Sequence, residues 1–383
     1  TLEPIVRSVL DQPAANLEAG WSCRPLVGGV GVGTSLYRVT GSARIHDSSL
    51  PWALIMKVID GGADVNHGSW DFPSREAFAY GSDLLRALPD GLAAPRCLAV
   101  EEQPDGTTRL WLEEVVDDEP GSWSLNGFAS AAHSLGRFSG AYLAGAPLPD
   151  DPWLSRGWLR GYVEASGPTI SELEHLAPAD AFPMVQRLYP PPIVAEIGRL
   201  WDERAVLFAK LDQLPRTFCH LDAFRRNLMI RRDSDRSTVT AIDWSYVGVG
   251  AVGEELAPLV TASLLFFETG AIAPRDLDAA CFSAYVDGLR EAGWSGDARL
   301  VRFGFTAATA LRYIIGPLRL SLPGLADSAL HPIAEGVFRR PFAECVTAWS
   351  NLWPFLFGLA DEARTLLPIV DPPPLNESRS LPA

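Results

Sequence analysis

Apolar residues along the first 115 positions fall in short strand-like runs, and beyond them in longer helical ones. The runs LYRVT at 36–40 and WALIMKVI at 52–59 are rich in β-branched and aromatic residues and are separated by turn-prone sequence, which predicts two strands. SREAFAYGSDLLRAL at 74–88 is dominated by Ala and Leu behind Ser74, an N-cap residue type, and predicts a helix. RCLAVEE at 96–102 and TRLWLEEVV at 108–116 are two more strands joined by the turn QPDG. After the acidic DDEPGS at 117–122, helical patterns occupy 127–143, 193–212, 254–268, 275–292, 299–318 and 336–365. One island interrupts them: NLMIRR and TVTAIDW are short, apolar and strand-like, and predict a hairpin embedded among helices.

This order predicts an α+β fold of two lobes. A small β-rich lobe spans 1–115, a larger and mostly helical lobe spans 116–372, and a Pro-rich polar tail spans 373–383. No internal repeat at a fixed period is visible.

The chain has 383 residues, of which 47% are hydrophobic and 21% charged, the composition of an ordinary soluble globular protein. Its formal net charge is −15, which disfavours a broad nucleic-acid surface, because phosphate binding needs a basic face. Of the 32 basic residues only Lys57 and Lys210 are lysine. Five cysteines (Cys23, Cys97, Cys219, Cys281, Cys345) lack C-x-x-C spacing, which speaks against a disulfide framework or a zinc site and for a reducing compartment. The first residues, TLEPIVRSVLDQP, show no basic region followed by an apolar run, and APLVTASLLFF at 257–267 is too short to span a bilayer. A cytoplasmic protein with no membrane or nucleic-acid partner is expected. Oligomeric state is not legible.

Candidate chemistry concentrates in the island. HLDAFRRN contains His220, Asp222 and Asn227, and AIDW supplies Asp243. A hairpin between them can bring two carboxylates and an amide oxygen together, a set that suits a hard cation such as Mg²⁺. The plainer alternative is that Asp222 caps a turn and Asp243 ends a strand. Arg225 and Arg226 either approach a transferred phosphoryl group or are solvated loop residues.

This spacing resembles the kinase-like phosphotransferases, in particular the aminoglycoside phosphotransferase and choline kinase group, whose catalytic loop reads H-x-D-x-x-x-x-N. Ile242-Asp243-Trp244, Gly250 and Glu255 continue the likeness. Two departures are Leu221, where these enzymes often carry glycine, and AFRR in place of a Pro-Gly-containing stretch. The resemblance implies a protein-kinase-like fold. It also implies Asp222 as the base on the acceptor hydroxyl, Asn227 and Asp243 as metal ligands, and His220 as a scaffold residue.

A kinase-like fold needs a phosphate cover, a lysine and a carboxylate partner in its first lobe. The glycine-rich VGGVGVGTS at 27–35 offers Gly29, Gly31, Gly33, Thr34 and Ser35, whose backbone N–H groups can approach phosphates. Lys57 stands in the apolar run LIMKVI, either as an edge-strand gatekeeper or as a buried functional cation. Glu76 lies 19 residues on, as its partner or as a first-turn carboxylate complementing the helix dipole. Trp111–Val115 is the hinge candidate, with Glu113 and Val115 offering backbone to adenine.

The resemblance thus implies a phosphotransferase using ATP or GTP with Mg²⁺ on a small hydroxylated molecule. An aminoglycoside or amino sugar comes first, since the net charge and Glu172, Glu174, Asp276 and Asp278 suit a cationic acceptor. Alternatives are a neutral sugar, another antibiotic or metabolite hydroxyl, a non-catalytic nucleotide-binding module, and a protein kinase. Against the last, no A-P-E-like segment follows Asp243.

Overall fold

The computed structural model describes residues 2–26, 34–61, 66–176, 182–233 and 236–370. The small lobe begins with α1 (Leu2–Leu10) and the strands β1 (Asn16–Leu17), β2 (Ser22–Leu26), β3 (Thr34–Ile45) and β4 (Ser48–Ile59). Then come α2 (Arg75–Gly81), β5 (Leu92–Ala93), β6 (Cys97–Glu102) and β7 (Thr108–Glu113). The antiparallel sheet runs β1-β3-β4-β7-β6, with β2 on the side of β3. The four expected strands are present: β3 and β4 run longer than expected, whereas β6 starts at Cys97 and β7 ends at Glu113, short of the expected 116. The long β3–β4 hairpin turns at His46, whose φ of 52° is left-handed.

The chain's first helix was not expected. α1 lays Ile5 and Val6 on the sheet against Val39, Trp52, Leu54 and Trp111, forming a core separate from the main one. The helix expected over 74–88 ends at Gly81, where Ser82 turns extended, and a 3₁₀ turn follows at Leu84–Arg86. Ser74 makes no side-chain cap bond.

In the large lobe, α3 (Leu125–Leu143) is followed by α4 (Trp158–Glu164), α5 (Gly167–Leu176), α6 (Pro183–Leu188) and α7 (Pro191–Leu211). Four short strands come next: β8 (Arg216–Cys219), β9 (Leu228–Asp233), β10 (Arg236–Ala241) and β11 (Gly248–Ala251). The expected hairpin is β9–β10, and β5 pairs in parallel with β10, so a two-residue piece from upstream completes that sheet. β11 pairs with β8, which brackets the catalytic-loop candidate between two small sheets.

The remaining helices are α8 (Ser263–Leu265), α9 (Pro274–Glu291), α10 (Ala298–Thr309), α11 (Leu318–Ala326), α12 (His331–Phe338), α13 (Phe342–Ser350) and α14 (Trp353–Leu366). α3 and α9 pack so closely that a Cβ on Gly136 would stand 2.1 Å from the Tyr285 carbonyl oxygen, and one on Gly288 2.2 Å from that of His133. The single helices expected at 254–268, 299–318 and 336–365 are each interrupted. The first is buried but π-helical over Pro258–Ala262, and the second passes from α10 into a π-helical segment at Ala310–Ile315. The third breaks into α12, α13 and α14, because Pro341 has no N–H to continue a helix and Asn351–Leu352 form a turn. Among the described residues, no helix is long and apolar enough to cross a membrane.

Candidate active site

Lys57 sits on β4 with β3 on one side and β7 on the other, opposite Leu36 and Leu110. It is therefore interior to the sheet and not an edge gatekeeper. The residue is 8% exposed, and its ammonium touches the Glu76 carboxylate and donates to Asp243 Oδ1 at 2.7 Å. A cation taken out of water needs such partners. Burial works against the charged lysine, but Asp243 and Glu76 outweigh it and hold its pKa above the ordinary value. The same pairing brings Asp243 down to about 2, against the burial that acts to raise it.

Glu76, at the start of α2, does more than meet the helix dipole. Its Oε1 accepts from the Trp244 backbone N–H at 3.2 Å, and Ser245 Oγ lies 3.3 Å from Oε2 and 2.6 Å from Asp243 Oδ1. Its neighbour Arg75, fully buried, donates to the carbonyls of Trp153 at 3.0 Å and Ser245 at 3.2 Å. α2 is thus fastened to the large lobe beside Asp243.

Across the cleft, the loop between β8 and β9 carries His220, Asp222 and Asn227. His220 is buried, and burial lowers its pKa to about 4, so it is neutral. Its Nε2 lies 3.0 Å from the Ile242 carbonyl oxygen and its Nδ1 accepts from the Asp222 N–H at 3.2 Å. The imidazole is a strut inside the loop. Leu221 has φ 64°, the left-handed region, which accounts for glycine at this position in the resembling enzymes. Leucine is held there by two buried side chains. Glu255 accepts from its N–H at 2.5 Å, and Arg312 donates to its carbonyl.

Asn227 donates through Nδ2 to the Asp222 carbonyl at 3.0 Å and to Asp222 Oδ2 at 2.9 Å, leaving its amide oxygen as an acceptor. The second oxygen of Asp222 accepts from Arg312 Nη2 at 2.6 Å. Burial raises the Asp222 pKa to about 6, with Arg312 opposing. Asp243 is also left-handed, with φ 64°, and its side chain is 41% exposed to the cleft.

Arg225 answers to neither of its expected readings. It is buried, donates to Asp117 Oδ2 at 2.7 Å and to the Gly121 carbonyl at 2.9 Å, and lies 4.2 Å over the Trp123 ring. Asp117 Oδ1 accepts from the Ile230 N–H at 3.0 Å, so the acidic joint is clasped along β9. Arg226 is paired with Glu268 at 2.5 Å. Neither is a free arginine.

Of the other site candidates, Gly29, Gly31 and Gly33 lie outside the described residues. Thr34 and Ser35 open β3 opposite Ile59 and Val58. Glu113 is the last residue of β7, its carboxylate turned to the Arg96 N–H at 3.0 Å, and Val115 follows half-buried beyond the ladder. Of the carboxylates expected to draw a cationic acceptor, Asp278 is bound bidentately by Arg302, while Glu172, Glu174 and Asp276 are exposed. Arg312, Arg75 and Ser245 were not anticipated. Arg312 stands in the apolar run ATALRYIIG, a signal of the kind that marks Lys57.

No cluster of three or more His, Cys, Asp or Glu that could hold a metal occurs among the described residues. Asp243 and Asn227 supply one carboxylate and one amide oxygen. That set fits Mg²⁺, which takes few protein ligands and completes its shell with water and substrate phosphates.

The phosphotransferase enzyme family matches residues 53–298. Among solved structures, the microcompartment-associated aminopropanol kinase aligns with TM-score 0.54 and 16% identity, covering 94% of this chain and 99% of that one. Choline kinase from Cryptosporidium parvum Iowa II aligns with TM-score 0.52 and 12% identity, covering 92% and 93%. No curated protein matches the sequence. With the family match spanning well over half its length, the chain belongs to the phosphotransferase enzyme family.

Proposed function

We propose that the chain transfers the γ-phosphoryl group of ATP, with Mg²⁺, to a hydroxyl held against Asp222. The observation that carries this reading is that Lys57, bonded to Glu76 and Asp243, faces a loop in which Asp222 and Asn227 are bonded to each other.

In this reading the Asp222 carboxylate accepts the hydroxyl proton as the acceptor oxygen bonds to phosphorus and the bond to the departing ADP oxygen breaks. Arg312 and Asn227 fix the carboxylate's direction, since each of its oxygens has a donor. Lys57 neutralises the α- and β-phosphates, a role for a compact ammonium that Glu76 steadies. Thr34, Ser35 and the glycines before them cover the phosphates, and the backbone at Glu113 and Val115 meets the adenine. Asp243 and the Asn227 amide oxygen hold the metal. When bound, Mg²⁺ offsets phosphate charge as it builds in the transition state. His220 keeps the loop's shape and exchanges no proton.

Aminoglycosides and amino sugars head the acceptor candidates on net charge alone. The test is an acceptor panel with labelled ATP and Mg²⁺, run with wild type and Asp222→Asn. Wild type is expected to label a small hydroxylated molecule, with Asp222→Asn binding nucleotide but transferring nothing. A wild type that binds Mg·ATP and labels no acceptor, or labels peptides alone, overturns the reading.

A further inference from the structure

The side chains beside Asp222 carry a charge opposite to that of the chain as a whole. The Arg312 guanidinium, paired with Asp222, lies 4.3 Å from the Trp158 ring centre. Trp158 stacks on Tyr162 at 5.0 Å and meets Tyr246 at 4.7 Å. Beyond Tyr162, the Arg319 guanidinium is 5.6 Å from that ring and 5.1 Å from Trp70. Trp70 and Tyr162 meet edge to face at 5.9 Å, and Arg75 donates to the Trp70 carbonyl from beneath. Trp70, Tyr162, Tyr246 and Arg319 are half-buried, so the wall reaches solvent.

Two features of this wall bear on what it binds. Arg75 and Arg319 form no ion pair among the described residues, while Arg312 has Asp222 alone. Three buried donors in or beside it lack a hydrogen-bond partner among the described residues: Arg319 Nε, Trp158 Nε1 and the hydroxyl of Tyr313, whose ring centre lies 5.1 Å from the Arg312 guanidinium. Aromatic rings in such a group can attract an ammonium, but here the guanidinium groups of the chain itself lie against them. A cationic ligand would meet like charge, whereas a carboxylate or phosphate would supply oxygens to unsatisfied donors and a counter-charge to Arg319. The net charge of −15 does not reverse this, since exposed charges more than about 10 Å away are screened at ordinary ionic strength.

We propose that the acceptor is a hydroxylated anion, carrying a carboxylate or phosphate that Arg319 binds at the Trp70–Tyr162 wall while its hydroxyl faces Asp222. This rests on the phosphotransfer reading for the identity of the site, and on the arginines for the charge of its ligand.

The test uses the full chain and four probes on one carbon frame: gluconate, glucose 6-phosphate, glucose and glucosamine. Binding is measured by calorimetry and phosphorylation with labelled Mg·ATP. At least one anion is expected to bind about tenfold or more tighter than glucose and glucosamine, the worth of one charge-assisted contact. Arg319→Gln is expected to erase that preference with nucleotide affinity and melting temperature unchanged, and Arg319→Lys to keep part of it. Glucosamine binding tightest, no preference for either anion, or a preference that survives in Arg319→Gln overturns the proposal. If glucosamine is both bound and phosphorylated, the anionic acceptor fails and phosphotransfer stands. If the anions bind through Arg319 and no acceptor is labelled, phosphotransfer fails and the anion site stands.

Discussion

Arg312 and Asp222, 90 positions apart in the chain, are each other's charged partner at 2.6 Å. Both are largely buried, so each neutralises a charge that burial would otherwise make costly. Arg312→Gln strands the aspartate and is expected to lower unfolding stability at pH 7 by about 3–5 kcal/mol. Adding Asp222→Asn is expected to restore part of the loss. Denaturant melts of the two single variants and the double variant measure the coupling, and strictly additive losses would contradict it.

Asp222→Asn keeps the side chain's shape and removes its basicity. Turnover is expected to fall about 10²- to 10⁴-fold, the usual worth of a positioned base. ATP affinity, read by titration calorimetry, is expected to stay within a few-fold of wild type. A loss shared equally between binding and turnover would point to collapse of the loop instead.

Lys57→Met removes the cation between two carboxylates, of which Glu76 is almost fully buried. Two readouts should move together. The KM for ATP rises, and the melting temperature drops by an amount equivalent to about 3–5 kcal/mol. Lys57→Arg is expected to rescue neither fully, because a planar fork cannot occupy the point between Glu76 and Asp243. Steady-state kinetics beside a thermal melt decide the matter.

Glu255 gives a pH signature without any assay of activity. Burial raises its pKa from an ordinary 4.5 to about 7. The folded state therefore holds a proton that the unfolded chain releases between those values. Its contribution is fully present below about pH 4.5 and is lost as pH rises through about 7, a change of about 3 kcal/mol. His220 acts in the opposite sense, since burial lowers its pKa to about 4 and stability is lost as pH falls through that value. Glu255→Gln is expected to steepen the rise of stability between pH 4.5 and 6.5. Chemical denaturation across that range checks it, and an unchanged slope refutes it.

Arg225 joins the catalytic loop to Asp117 at 2.7 Å and covers Trp123. Arg225→Gln is expected to destabilise the fold and Asp117→Asn to do the same, with the double variant less affected than the sum. Double-mutant cycles on unfolding free energy test this, because a solvated arginine would give no coupling.

What the sequence made legible was local in the chain. The His220–Asn227 spacing, Asp243 behind a hairpin, and Lys57 within LIMKVI all sit inside short windows where periodicity and turn chemistry act. The strands around Lys57 were legible for the same reason. Arg312, Arg319 and Trp70 were not, because they meet Asp222 or Tyr162 only through packing of segments far apart in sequence. α1 does carry a helical spacing in Leu2, Ile5, Val6, Val9 and Leu10. The π-helical turns at 258–262 and 310–315 leave no pattern that sets them apart from an α-helix, since tertiary packing sets the winding.

The wall of Trp70, Tyr162 and Arg319 stands on segments separate from the loop and hairpin that hold Asp222, Asn227 and Asp243. Libraries built at those three wall positions can therefore retune which molecules are accepted while the transfer machinery is inherited intact. Arg312 belongs to both groups, paired with Asp222 and lying on Trp158. Changing it alters reactivity and selectivity at once, which makes it the position to hold fixed when new acceptors are sought.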